Sequence, residues 1–157
     1  TIEKYYLALS PSKPVKKQGS IIGDMQKGRR GCYLLTREKT KPAVTRFFAR
    51  SFASAQGKKF WLFVLKPETG KTHQLRVALK SLGSAVLGDE RYSAIAADRG
   101  YLHAYKMRFD LFDKRYELLS PHFVGECLDF KDLEALTDVS VMLTPEKLAW
   151  PKASFLL

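Results

Sequence analysis

The chain has 157 residues, 45% of them hydrophobic, which is enough for one core, so residues 1–157 are expected to form a single domain. No apolar run reaches the length of a membrane span and Thr1 opens no signal-peptide pattern, so a cytoplasmic protein without a membrane partner is expected. Cys32 and Cys127 each stand alone, and His73, His103 and His122 lack ligand spacing, which excludes a disulfide framework, a redox pair and a structural zinc; no metal is expected.

The net charge of +11 is unevenly spread. Residues 1–50 carry 12 basic and 3 acidic groups, residues 51–100 carry 8 and 4, and residues 101–157 carry 7 and 9. A basic front with a mildly acidic back suits a polyanion lying across one surface, although a solvated lysine-rich face has the same composition.

In chain order, Ile2–Ser10 reads as a strand covered on both faces, broken by two prolines and a lysine cluster between Pro11 and Lys17. The polar stretch Ile21–Arg30 reads as a mobile basic loop whose Lys27, Arg29 and Arg30 are candidates for phosphate contacts. Strands are expected at Cys32–Thr36, Ala43–Phe52 and Lys59–Leu65; the last is apolar without alternation, as in a central strand buried on both faces. Leu75, Ala78, Leu79 and Leu82 recur at helical spacing, which predicts a helix over Thr72–Leu82 with Gly83 as its stop. Alternation returns over Leu102–Phe112, and Asp113-Lys114 can turn it into a strand at Arg115–Leu119. Short helices are expected at Lys131–Leu136 and Pro145–Ala149, the latter with Thr144 as N-cap. The sum is an α+β fold with a mixed, mainly antiparallel sheet and a few helices.

The chemistry-bearing residues concentrate in the segment from Lys66 to Arg76. Gly70-Lys71-Thr72 imitates the end of a P-loop, but the opening glycine would fall at Leu65, so a nucleotide-hydrolysing loop is excluded. The pattern is instead a buried strand, a Thr-Gly turn and a helix whose N-terminus, with Lys71 and His73 beside it, suits an anion. Arg76 on the first turns could meet a buried carboxylate with two parallel hydrogen bonds. On residue types alone, a capped helix with surface charges explains the segment equally well.

In order along the chain stand Lys4, Tyr6 and Ala8; Thr69-Gly70-Lys71; His73-Gln74-Leu75-Arg76; Leu82-Gly83; Gly88-Asp89 with Tyr92; and Leu102-His103-Ala104. This series resembles the RluA-type pseudouridine synthases of ribosomal and transfer RNA. The resemblance implies a central RNA cleft and a cofactor-free isomerase that turns uridine into pseudouridine. It implies that Tyr6 stacks on the flipped base and takes part in removing its C5 proton, and that Arg76 pairs with a catalytic aspartate. Lys4, Lys71, His73 and Gln74, with Lys27, Arg29 and Arg30, are the expected RNA-binding residues.

The family's nucleophile lies in a His-Arg-Leu-Asp motif upstream of the Lys-x-Tyr strand, which here begins almost at Thr1. Leu128-Asp129 imitates the motif without its neighbours, and Asp89 matches a structural family position, so no residue is assigned as nucleophile. Ala78 and Ala85 replace the His and Pro common in the family, as differences of packing and turn. The chain therefore reads as the C-terminal portion of a catalytic domain, inactive alone. The alternative is a non-catalytic RNA-binding module, and a weaker one is a basic protein-interaction domain. A sheet edge and apolar surface left open would favour self-association or pairing with a further segment.

Overall fold

A computed structural model describes residues 2–93, 95–121, 125–128 and 130–150. His122 and Asp129 lie outside them. Six strands form one sheet: β1 (Ile2–Ser10), β2 (Gln18–Gly23), β5 (Ala43–Ala53), β6 (Lys59–Pro67), β7 (Leu102–Leu111) and β8 (Lys114–Leu119). Their order is β2-β5-β6-β1-β7-β8, and every described ladder is antiparallel. A separate hairpin pairs β3 (Met25–Lys27) with β4 (Tyr33–Leu35). The helices are α1 (Gln74–Ser81), α2 (Phe130–Ala135) and α3 (Thr137–Ser140). The expected α+β class with a mainly antiparallel sheet is the architecture found.

The unbroken apolar run of β6 follows from its place beside β1, with a layer on each face. Phe60, Leu62 and Val64 join Leu7, Leu9, Tyr101 and Tyr105 in a core closed by Leu133, Val139 and Met142 of the C-terminal segment. Trp61, Phe63 and Leu65 join Ala8 and Phe47 in a second core closed by Leu75, Ala78 and Leu79 of α1. Period-two alternation thus feeds two apolar layers, each side chain leaving water on its own face. The C-terminal layer is also held by polar contacts, since Tyr105 donates its hydroxyl to the Leu143 carbonyl and the nearly buried ammonium of Lys106 lies 2.7 Å from Glu146.

Two expectations are corrected. Residues 21–30 are not a loop: Ile21 and Ile22 sit in β2, Lys27 ends β3, and Arg29–Gly31 form a 3-10 turn. Gly19, Gly23 and Gly28 interrupt the pattern, but backbone pairing of Gln18–Gly23 with Phe48–Ala43 of β5 supplies what local alternation does not. Pro145–Lys147 is a 3-10 turn rather than an α-helix, and Thr144 makes no side-chain cap to it.

Candidate functional site

The turn between β6 and α1 is built around one buried amide. Gln74, 5% exposed, donates through Nε2 to the Val44 carbonyl (3.0 Å) and to Thr45 Oγ1 (2.9 Å). Its Oε1 accepts the Thr69 hydroxyl (2.7 Å) and the Lys71 N–H (3.0 Å). Thr69 Oγ1 in turn accepts the Val44 N–H (2.9 Å). These bonds pin residues 69–74 to the start of β5. They also correct the assignment of Gln74 as an RNA contact, because a primary amide makes four such bonds and all four are spent inside the protein. His73 takes a left-handed conformation (φ 56°), so α1 begins at Gln74, two residues later than the spacing predicts.

Tyr6 reaches the same place from β1. The β1–β7 register shifts between Tyr5 and Tyr6, a bulge of the kind that re-aims side chains. Tyr5 is buried, and Tyr6, half-buried, lines a cleft of about 210 Å³ together with Lys4, Lys71, His73 and Arg76. Six of the expected site residues therefore converge: Lys4, Tyr6, Lys71, His73, Gln74 and Arg76. Lys27, Arg29 and Arg30 do not line the cleft. They are exposed on the β3–β4 hairpin, which is docked beside it by the Tyr33 N–H donating to the Tyr92 hydroxyl (2.8 Å) and by Arg91 Nη1 donating to the Arg30 carbonyl (2.7 Å).

The partner of Arg76 within this chain is Asp89. Nε donates to Oδ2 at 2.8 Å and Nη2 to Oδ1 at 2.7 Å, while the guanidinium carbon stands 5.0 Å from the centroid of Tyr92. This fork occupies one edge of the guanidinium. Among the described residues nothing accepts from Nη1, so the other edge can meet a second carboxylate. The side chain of Asp89 is 4% exposed. Burial pushes its carboxyl upward, but hydrogen bonds from Arg76 and from the N–H groups of Arg91 and Tyr92 overcome this and hold it below the usual carboxylate value. The hydrogen bond that Arg76 donates to Asp89 raises the pKa of Arg76 in turn.

His73 Nδ1 lies 3.0 Å from the Tyr92 hydroxyl, with the Tyr33 and Tyr92 rings edge-on to the imidazole. Desolvation, reinforced by Arg76 and Arg91 and opposed by Asp89, lowers its pKa and so favours the neutral imidazole. The Tyr92 hydroxyl accepts from Tyr33; by donating to His73 Nδ1 it would leave Nε2 as the donor. Tyr92, Arg91, Tyr33 and the pairing role of Asp89 are the site features that residue patterns missed. The Gly88-Asp89 and Tyr92 motif signalled the position, but not that it folds back 13 residues onto Arg76.

The cleft combines an aromatic side chain, a fixed arginine and two lysines, with no carboxylate in its wall among the described residues. Such a wall can stack a planar ring and hold an anionic group beside it. The family model described as RNA pseudouridylate synthase matches residues 1–81, and the chain belongs to that family. It is 55% identical over 111 residues to an uncharacterized RNA pseudouridine synthase of Haemophilus influenzae, covering 69% of this chain and 48% of that protein. It is 32% identical over 115 residues to ribosomal large subunit pseudouridine synthase D of Borreliella burgdorferi, covering 69% of this chain and 34% of that protein. The solved structure of human RNA pseudouridylate synthase domain containing 1 shares the fold, with a TM-score of 0.70 at 22% identity over 98% of this chain and 68% of that one. The chain thus spans about half or less of the length of these two curated relatives.

Proposed function

We propose that this chain carries the base-binding and arginine-bearing side of an RNA pseudouridine synthase, and that taken alone it binds RNA without isomerising uridine. The observation that supports this is the convergence of Tyr6 and Arg76 on one cleft whose described wall holds no carboxylate. Asp89 does not supply the nucleophile: it is sealed from the cleft, and its oxygens already accept from Arg76, Arg91 and Tyr92. In the reaction that family membership implies, an aspartate attacks the flipped nucleotide, the N-glycosidic bond breaks and the base rotates. A bond from C5 to the sugar then forms as the bond from the aspartate to the sugar breaks and the carboxylate is released; C5 loses its proton and N1 gains one. Tyr6 would stack on the base and take part in the C5 proton transfer. The free edge of Arg76 would hold the aspartate ionised and aimed. Lys4 and Lys71, with Lys27, Arg29 and Arg30 on the flank, would hold phosphates of a ribosomal or transfer RNA during base extrusion.

The purified chain is expected to bind a uridine-containing RNA with an affinity that falls steeply with salt, and to form no pseudouridine in a carbodiimide primer-extension assay. Pseudouridine formation by the 157-residue chain would overturn its inactivity. Absent or salt-insensitive RNA binding would overturn the RNA reading.

We also propose self-association, or pairing with a further segment, along β8. All six residues of this outer strand are exposed, Leu118 at 58% and Leu119 at 52%, and Phe112 beside it at 90%. Among the described residues no strand pairs with its outer side, and a free edge bearing exposed leucines can recruit another strand. Dimers or larger species in light scattering are expected, and a monodisperse monomer would count against the proposal.

A further inference from the structure

β2 pairs with β5 only as far as Phe48, and among the described residues no strand pairs with Arg50–Ala53 on that side. The notch at this point holds about 420 Å³ and is lined by Lys17, Gln18, Arg50, Ser51 and Trp61, with Phe48 and Ala49 behind them. Lys17 Nζ stands 5.9 Å and Lys59 Nζ 5.6 Å from the centroid of the Trp61 ring, so two ammonium groups gather at one indole. Arg50 is exposed on the edge itself. Among the described residues, no carboxylate lies within ion-pair reach of Lys17, Arg50 or Lys59. Nor does any described residue accept the Trp61 indole N–H. The Ala49 N–H donates to the Lys17 carbonyl at 2.7 Å. The Ser51 N–H, two residues on, points the same way past the end of the ladder. The notch is therefore rich in cations and donors, and among the described residues no acidic side chain lines it.

Its position connects it to the cleft. Trp61 shares a sheet face with α1 and with Tyr6, and lies six residues along β6 from Pro67 at the cleft, about 20 Å at strand rise. The connection from β1 to β2 reaches the notch at Lys17 and is tied to the end of α1 by the Val15 N–H donating to the Leu82 carbonyl (3.0 Å), with Lys13 and Lys16 exposed along it.

We infer that this notch is a second RNA-binding site, an anchor for the backbone phosphates of a single strand whose uridine occupies the Tyr6–Arg76 cleft. The inference rests on the proposed function for its partner, but on different residues for its site. The open strand edge could also accept an extended peptide by backbone pairing, yet three cations without carboxylates favour a polyanion that brings regular negative charge.

The test uses two labelled oligouridylates, one of about 5 nucleotides that fills only the cleft and one of about 15 that can reach both sites. In K17Q/R50Q/K59Q, affinity for the longer strand is expected to fall at least about tenfold, with a shallower salt dependence by roughly two phosphate contacts, while the shorter strand binds as before. Thermal unfolding monitors the fold, and K17R/K59R is expected to keep the longer strand's affinity. Equal affinity of the triple variant and the parent for the longer strand would overturn the anchor alone. So would equal loss on both lengths, or displacement of the longer strand from the notch by an acidic peptide at lower concentration than by RNA. Failure of the parent to bind either strand would overturn the RNA reading of the cleft as well.

Discussion

Replacing Arg76 with Ala is expected to cost about 3 kcal/mol of stability at neutral pH, because it strands a buried carboxylate rather than merely removing a surface charge. The Asp89 side chain is 4% exposed and accepts two short bonds from the guanidinium, whereas Arg76 itself is 27% exposed. Without Arg76, the carboxylate keeps only the N–H groups of Arg91 and Tyr92, and the Tyr92 face loses its cation. The pH dependence has a definite sign. A carboxyl held below 3.8 in the fold contributes stability that is fully present above that value and is lost as the pH falls through the folded value. In the variant the folded carboxyl rises, so its deficit is largest at neutral pH and shrinks in acid, where Asp89 is uncharged in both proteins. Urea unfolding of parent, R76A, D89A and R76A/D89A at neutral and acid pH measures this, with a coupling on the order of 2 kcal/mol expected at neutral pH. Additive single losses would show that the pair is not the element holding the helix to the loop.

Regular periodicity was enough to read most of the sheet. Ile2–Ser10 is the observed β1, and β5, β6 and β7 differ from expectation by no more than two residues at an end. Strands of this kind carry their own signal, either alternation or, in β6, an apolar run that needs two covered faces. β2 and β3 do not. Their stability comes from partners up to 30 residues away, as in Gln18 against Phe48, and their glycines erase the local pattern. The C-terminal turn failed for a related reason: Pro145 suits the start of either helix type, and only packing decides which one forms.

The site was legible as a set of motifs more than as a geometry. Tyr6 and Arg76 lie 70 residues apart in sequence and still line one cleft. What the motif could not convey was the use made of each side chain. Gln74 looks like a polar group offered to a ligand, but burial and four internal bonds make it the pin of the β6–α1 turn. Asp89 looks like a loop residue, but it is the base on which Arg76 stands. Whether a polar side chain faces ligand or protein depends on the backbone around it, and here that backbone belongs to β5 and to the loop after α1.

That loop is itself set by a glycine, so Gly88→Ala is expected to cost on the order of 3 kcal/mol or more and to weaken RNA binding with it. Gly88 has φ +79°, and a Cβ there would meet the Arg99 carbonyl oxygen and carbon and approach Ala97 Cβ to 3.2 Å. The clash is with backbone, which cannot swing aside like a side-chain tip. Nor can the loop retreat easily: the Leu87 N–H donates to Leu9 of β1, the Tyr101 N–H donates to Leu87, and the Asp89 N–H donates to Val86. The remaining way to relieve the contact is to displace Asp89, which drags Arg76 from its place in the cleft. Gly83 supplies the control. It has a similar φ of +71° at the end of α1, but a Cβ added there would meet nothing within 4 Å. Gly83→Ala should therefore cost only the left-handed backbone penalty, about 1 kcal/mol, and leave RNA affinity unchanged. Unfolding and RNA-binding curves for the two variants separate strain from collision. Equal losses of stability in both would mean that backbone conformation alone explains Gly88, and that Asp89 does not depend on it for its aim at Arg76.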